Sequence, residues 1–146
     1  MQIIRSLEQD HAAVVGRAVR VLLLTSEGQT GMMGRRLAGL GTRVDVVDEM
    51  FAALSDLIDD PTGTALFVVD CDSASVGGLE AAQRAVRMLG DVAQRVSVIL
   101  VSSECREQRF PQDRCAPILL RAPLSAVALK VGFEHALRER FLYQAA

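Results

Sequence analysis

The 146-residue chain has no tryptophan, one tyrosine, one lysine, two histidines, four prolines and three cysteines. Each shortage excludes something. Cys71, Cys105 and Cys115 are odd in number, and their gaps of 34 and 10 residues fit neither a CxxC pair nor a zinc pattern. They predict three reduced thiols in a cytoplasmic protein and exclude a disulfide scaffold. His11 and His135 stand far apart with no ligand spacing around them, so no histidine-based metal site is expected and little remains for acid–base work. No nucleophile–base pair is visible, which predicts a chain without catalytic residues or enzymatic activity. No apolar run approaches the roughly 18 residues of a membrane span. The mixed charges of residues 1–20 do not make a signal peptide. A formal net charge of −2 lacks the basic footprint of a nucleic-acid binder. That charge is unevenly spread. Residues 1–73 carry 6 basic and 11 acidic side chains and residues 74–146 carry 10 and 7, so the halves are near −5 and +3.

What is present is alternation. Val21-Leu22-Leu23-Leu24, Leu66-Phe67-Val68-Val69, Val98-Ile99-Leu100-Val101 and Ile118-Leu119-Leu120 are apolar and too short for buried helices. They predict strands buried on both faces of a parallel sheet. Val44-Asp45-Val46-Val47-Asp48 alternates, which suits an edge strand. Helical stripes fall between: Met33, Leu37 and Leu40, stopped by Gly41; Phe51, Leu54 and Ile58, stopped by Asp60-Pro61-Thr62-Gly63; Leu79, Ala82, Val86 and Leu89; and Leu129, Phe133 and Leu137, with Ser125 as a cap. Between Glu104 and Ala116 the pattern fails around Pro111, which predicts one helical turn or an irregular loop. Strand–helix repeated five times gives a three-layer αβα, doubly wound parallel five-stranded sheet, and the wet second strand suits the order 2-1-3-4-5. Residues 1–18 form an N-terminal extension, where Ser6-Leu7-Glu8-Gln9 is a candidate capping box, and residues 19–146 form the single domain.

In such a sheet the site lies at the carboxyl ends of the strands. Those ends carry Thr25-Ser26-Glu27, Asp70-Cys71-Asp72, Ser102-Ser103-Glu104 and Arg121-Ala122-Pro123. Asp70 followed by Gly78-Leu79-Glu80, with Thr25, Ser102 and Pro123 in register, resembles the receiver (CheY-like) domain of bacterial response regulators over about residues 19–141. The resemblance implies that Asp70 occupies the phosphoacceptor position and Ser102 the hydroxyl switch. It also implies that Pro123 follows a cis peptide at Ala122. The chain departs from the family where charge is needed. Thr25 and Ser26 stand in place of the two acids that hold magnesium, and Glu27 is displaced by one residue. Ala122 stands in place of the phosphate-binding lysine, and Leu119 in place of the aromatic switch; the single lysine is Lys130. Phosphoryl transfer to a carboxylate depends on neutralising charge with metal and lysine. The departures therefore imply a degenerate pseudo-receiver without magnesium, with Asp70 left as a carboxylate facing water. The alternative is a phosphorylatable single-domain response regulator acting at Asp70.

Thr25-Ser26-Glu27-Gly28-Gln29-Thr30-Gly31 also looks like the phosphate loop of flavodoxins, which share the fold class. That alternative implies an FMN carrier. The ring-stacking aromatics are missing, since Tyr143 is the one tyrosine and there is no tryptophan.

A basic cluster of Arg106, Arg109 and Arg114 surrounds the failed helix, and the chain ends in Arg140-Phe141-Leu142-Tyr143. No domain follows the last helix, so no DNA-binding output is expected. The resemblance implies that the face around the fifth strand and last helix meets partners. The fifth strand is apolar yet stands at an edge, where pairing with another chain is a hazard. Arg106, Arg109, Leu119, Phe141 and Leu142 are therefore the candidate interaction face, with Glu134 and Glu139 available to a two-fold mate. The expectation is a cytoplasmic bacterial signalling domain of a two-component phosphorelay. It acts through a protein partner, forms a homodimer, and has no contact with nucleic acid or membrane.

Overall fold

The computed structural model describes residues 19–113 and 115–145, with side chains up to residue 137. The capping box at Ser6, the side chain of Arg114 and those of Glu139, Arg140, Phe141, Leu142 and Tyr143 lie outside the described residues.

The apolar runs are strands: β1 Arg20–Leu24, β2 Arg43–Val47, β3 Leu66–Asp70, β4 Ser97–Ser102 and β5 Ile118–Arg121. They form one parallel sheet in the order β2-β1-β3-β4-β5, as the wet second strand predicts. Four helices are described: α1 Met32–Gly39, α2 Met50–Asp59, α3 Leu79–Arg87 and α4 Ala126–Ala145, with a 3-10 turn at Gly90–Gln94. None of the described helices is long and apolar enough to cross a membrane.

Because strand side chains alternate, each strand feeds two cores. Val21, Leu23, Val68, Ile99 and Leu120 face α1 and α4, where Leu37, Leu129, Phe133 and Leu137 meet them. Leu22, Leu24, Phe67, Val69 and Leu100 face α2 and α3, where Leu54, Leu57, Ala82 and Val86 meet them. Helix α1 stops where Gly41 takes φ 84° and the Thr42 hydroxyl donates to the Leu37 carbonyl at 2.8 Å. At the start of α4 the Ser125 hydroxyl accepts from the Ala128 N–H at 3.0 Å, the cap the sequence predicts. The Ala122–Pro123 peptide is cis, also as expected.

Three expectations are corrected. The buried stripe of α2 is Ala53, Leu54 and Leu57, not Phe51, Leu54 and Ile58. Phe51 is 71% exposed and Ile58 48%. The small Ala53 takes an inward position because it lets the helix lie close to the sheet, and size-blind periodicity cannot see that. The repeat is also incomplete. Among the described residues no helix lies between β4 and β5, and an irregular loop takes its place. Nor is the outer edge of β5 bare. Arg109 forms an antiparallel bridge with Leu119, its N–H 2.8 Å from the Leu119 carbonyl and its carbonyl 3.0 Å from the Leu119 N–H. The loop thus occupies the outward N–H and C=O of Leu119, edge groups that would otherwise be open to another strand.

The phase of α2 is testable by chemical denaturation. Leu57→Ala removes a fully buried side chain and is expected to cost about 2–5 kcal/mol. Phe51→Ala is expected to stay within about 0.5 kcal/mol, as solvent-facing substitutions do. Equal losses would place Phe51 in the core.

Candidate functional site

The carboxyl ends of β1, β3 and β4 lie side by side, so the residues just after them meet. Asp70 ends β3 and is 9% exposed. It does not face water as expected. Its Oδ2 accepts the Thr25 hydroxyl at 3.0 Å and the Ser73 hydroxyl at 3.1 Å. Thr25 is buried at the end of β1, and its Oγ1 also accepts the Glu27 N–H at 3.2 Å. Ser73 Oγ accepts from Ser26 twice, from its N–H at 3.1 Å and its hydroxyl at 3.3 Å. A buried carboxylate needs such donors to offset its lost hydration.

Of the residues singled out in the sequence, Thr25, Ser26 and Asp70 come together in this cluster. Ser102 lies next door in β4 but turns to its own loop, its Oγ accepting the Glu104 N–H at 3.0 Å. The Ala122 N–H donates to the Ser102 carbonyl at 3.0 Å, which brings the start of the Ala122–Pro123 turn beside β4. Arg121, at the end of β5, is exposed. Glu27 folds back on its own turn, its Cβ and Oε2 lying 2.6 and 2.9 Å from where a Cβ at Gly31 would sit. Arg106, Arg109 and Leu119 lie away from the cluster, on the β4–β5 loop and β5.

Sequence reasoning missed Ser73 and left Asp72 and Glu104, both read at strand ends, without a role. Ser73 is the second donor to Asp70, and the signal was a hydroxyl three positions after a strand-end acid, the spacing of a turn that bonds its own backbone. Asp72 accepts from Ser103, the N–H at 3.1 Å and the hydroxyl at 3.0 Å. Glu104 Oε1 accepts the N–H of Leu79, the first residue of α3, at 3.2 Å. Gly78 makes this approach possible, because it has φ 101° and a Cβ there would lie 2.7 Å from that oxygen.

The thiols differ sharply. Burial pushes Cys71 up to about 12, with Cys105, Asp72 and Asp70 nearby adding to the rise. Cys105 is also raised, chiefly by burial, while Cys115 is exposed.

No protein-family model matches the sequence, and no curated protein matches it. Solved structures do. A two-component system response regulator/GGDEF domain protein matches with a TM-score of 0.69 at 20% identity, over 92% of this chain and 55% of that one. The signal receiver domain of a LuxO repressor protein from Vibrio parahaemolyticus matches with a TM-score of 0.63 at 16% identity, over 87% of this chain and 96% of that one. The receiver domain of a sensor histidine kinase from Pseudomonas aeruginosa, with a magnesium ion coordinated in its active-site cleft, matches with a TM-score of 0.59 at 16% identity, over 80% and 94%. The chain has the CheY-like receiver fold. It spans 55% of the length of the first of these proteins.

Within the receiver fold, Asp70 closes the central strand. The residues around it do not fit a magnesium ion, which takes a near-octahedral oxygen shell. Asp70, Asp72 and Glu104 each turn to a different partner, Glu27 folds back on its own turn, and among the described residues no three His, Cys, Asp or Glu side chains gather to share an ion. A flavin phosphate fits no better. The hydroxyls of Thr25 and Ser26 point inward to Asp70 and Ser73, so the loop does not offer them to a ligand. What the cluster can do chemically is tie the ends of β1 and β3 together.

At pH 8 a thiol reagent is expected to label Cys115 alone in the folded protein, with Cys71 and Cys105 reacting only on unfolding. Since the Cys71 pKa is raised above its unfolded value of about 8.5, its share of stability is full below that pH and falls as pH climbs toward about 12. Prompt labelling of all three thiols would contradict this burial.

Proposed function

We propose that the chain is a receiver-fold signalling module that works by binding protein partners, with no enzymatic turnover and no phosphorylation at Asp70. The observation that carries this reading is the environment of Asp70. Its Oδ2 is engaged by two hydroxyl donors, with Thr25 and Ser26 where acids would hold a metal and Ala122 where a lysine would meet a phosphoryl group. Aspartyl phosphorylation brings anionic oxygens together, and nothing positioned here neutralises them. Magnesium and FMN are accordingly no part of the proposal.

The matching folds named as a response regulator, a signal receiver and a sensor-kinase receiver support a place in a two-component pathway. The proposed interaction face is β5, the loop of residues 103–117 and α4. Val127 and Val131 are 73% and 45% exposed on the first turns of α4, one helical turn apart and on the same side. Phe110, 36% exposed, packs its ring edge-on against His135 with centroids 5.8 Å apart. His135 Nε2 lies 2.8 Å from the Pro111 carbonyl, which pins the loop to α4. This face is also the one proposed for self-association.

Amide NMR spectra with and without beryllofluoride and magnesium test the reading. The expected result is no change at Asp70 or Ser102. Saturable shifts clustered there would establish a working phosphoacceptor and overturn the proposal.

A further inference from the structure

The layer that covers the sheet on the α2–α3 side stops short. Helices α2 and α3 pack over β1, β3 and β4, but the chain supplies no helix over β5 among the described residues. Two hollows follow in line along α3, sharing Gln83. One, of about 410 Å³, lies between Leu79, Cys105 and Leu119. The other, of about 300 Å³, lies between Val86, Ala93 and Pro117. Part of the floor is apolar. Leu119 packs against the α2–α3 core yet stays only partly buried, and Val86 continues the floor from α3. The rim is basic. Arg106 and Arg109 border the larger hollow and Arg87 the smaller. All three are exposed, and none forms an ion pair among the described residues. Of the two acids at the larger hollow, Glu104 is already spent on the Leu79 N–H, leaving Glu107. Arg109 is also held in place, because its backbone is bridged to Leu119 in both directions.

We infer that this groove receives an amphipathic helix of a partner protein, its apolar stripe laid on Leu119 and Val86 and its acidic flank facing Arg87, Arg106 and Arg109. The partner thereby supplies in trans the covering element that the described residues do not provide. Helix-in-groove docking uses anchors at i, i+3 or i+4 and i+7, and the two collinear hollows give such anchors successive seats. Unpaired arginines at the rim select an acidic partner and speed its encounter. This inference rests on the proposed partner-binding function and names where and with what chemistry the binding occurs.

A display library of 16-residue amphipathic helices, with acidic, basic and neutral flanks, is selected on the full chain. The expected winners carry Glu or Asp beside a Leu-type stripe and shift the amides of Leu79, Gln83 and Leu119. Their binding is expected to weaken about tenfold or more in Arg106→Glu/Arg109→Glu and to fall with added salt. Both substitutions are on exposed side chains, and an unchanged thermal melt confirms folding. Arg35→Glu, an exposed charge on α1, is expected to leave the binding intact. Winners that are basic, or that shift Val127 and Val131 and respond to Val127→Glu, would overturn the groove while sparing the partner-binding function. A second copy of this chain seated in the groove would overturn the acidic-helix occupant. Failure of every library class to bind would overturn the groove, and the absence of any partner for the α4 face as well would overturn the function.

Discussion

The strand ends of this protein depend on one buried carboxylate. Asp70 sits at the end of the central strand, where β1 and β4 flank it, and its Oδ2 is held by Thr25 from one side and Ser73 from the other. An ionised carboxylate taken out of water needs compensating donors, and here the donors belong to the loops that would otherwise be free to move. The same device repeats outward. Asp72 holds the backbone after β4 through Ser103, and Glu104 holds the first turn of α3 through Leu79. Acids at the strand ends thus anchor loops.

That use bears on function. In a receiver fold that takes a phosphoryl group, the carboxylate must be open to a metal and a donor. In this chain its Oδ2 accepts two hydroxyls, and Ser102 turns to its own loop. The proposed partner binding places communication at surfaces. The surface that differs most from a fully covered sheet is the β4–β5 half, where an irregular loop replaces a helix and arginines rim a partly apolar floor. The acidic N-terminal half and the basic C-terminal half separate charge along the sequence, and the arginines of the inferred groove belong to the basic half.

Most of the fold was legible in the sequence. Four short apolar runs and one alternating run gave the strands and their order, because burial on both faces leaves no other pattern. The stripes of α1, α3 and α4 were legible because large residues marked the inward face. That of α2 was not, because Ala53 carries no hydrophobic signal while Phe51 and Ile58 carry a false one. At the site, Asp70, Thr25 and Ser26 were found because strand ends fix them. Ser73 was not, since a lone serine in a loop is silent until the turn that aims it is known. The bridge from Arg109 to Leu119 was equally silent, since a single backbone pairing leaves no periodicity.

The claim that Asp70 serves the structure through its hydroxyl donors is tested most directly by a double-mutant cycle between Thr25→Val and Asp70→Ala, read by equilibrium denaturation. Because the two side chains share a hydrogen bond, the account predicts a coupling energy of about 1–2 kcal/mol, within the range seen for residues in direct contact. Strict additivity, with Asp70→Ala costing no stability, would contradict it and return Asp70 to the role of an unencumbered strand-end acid.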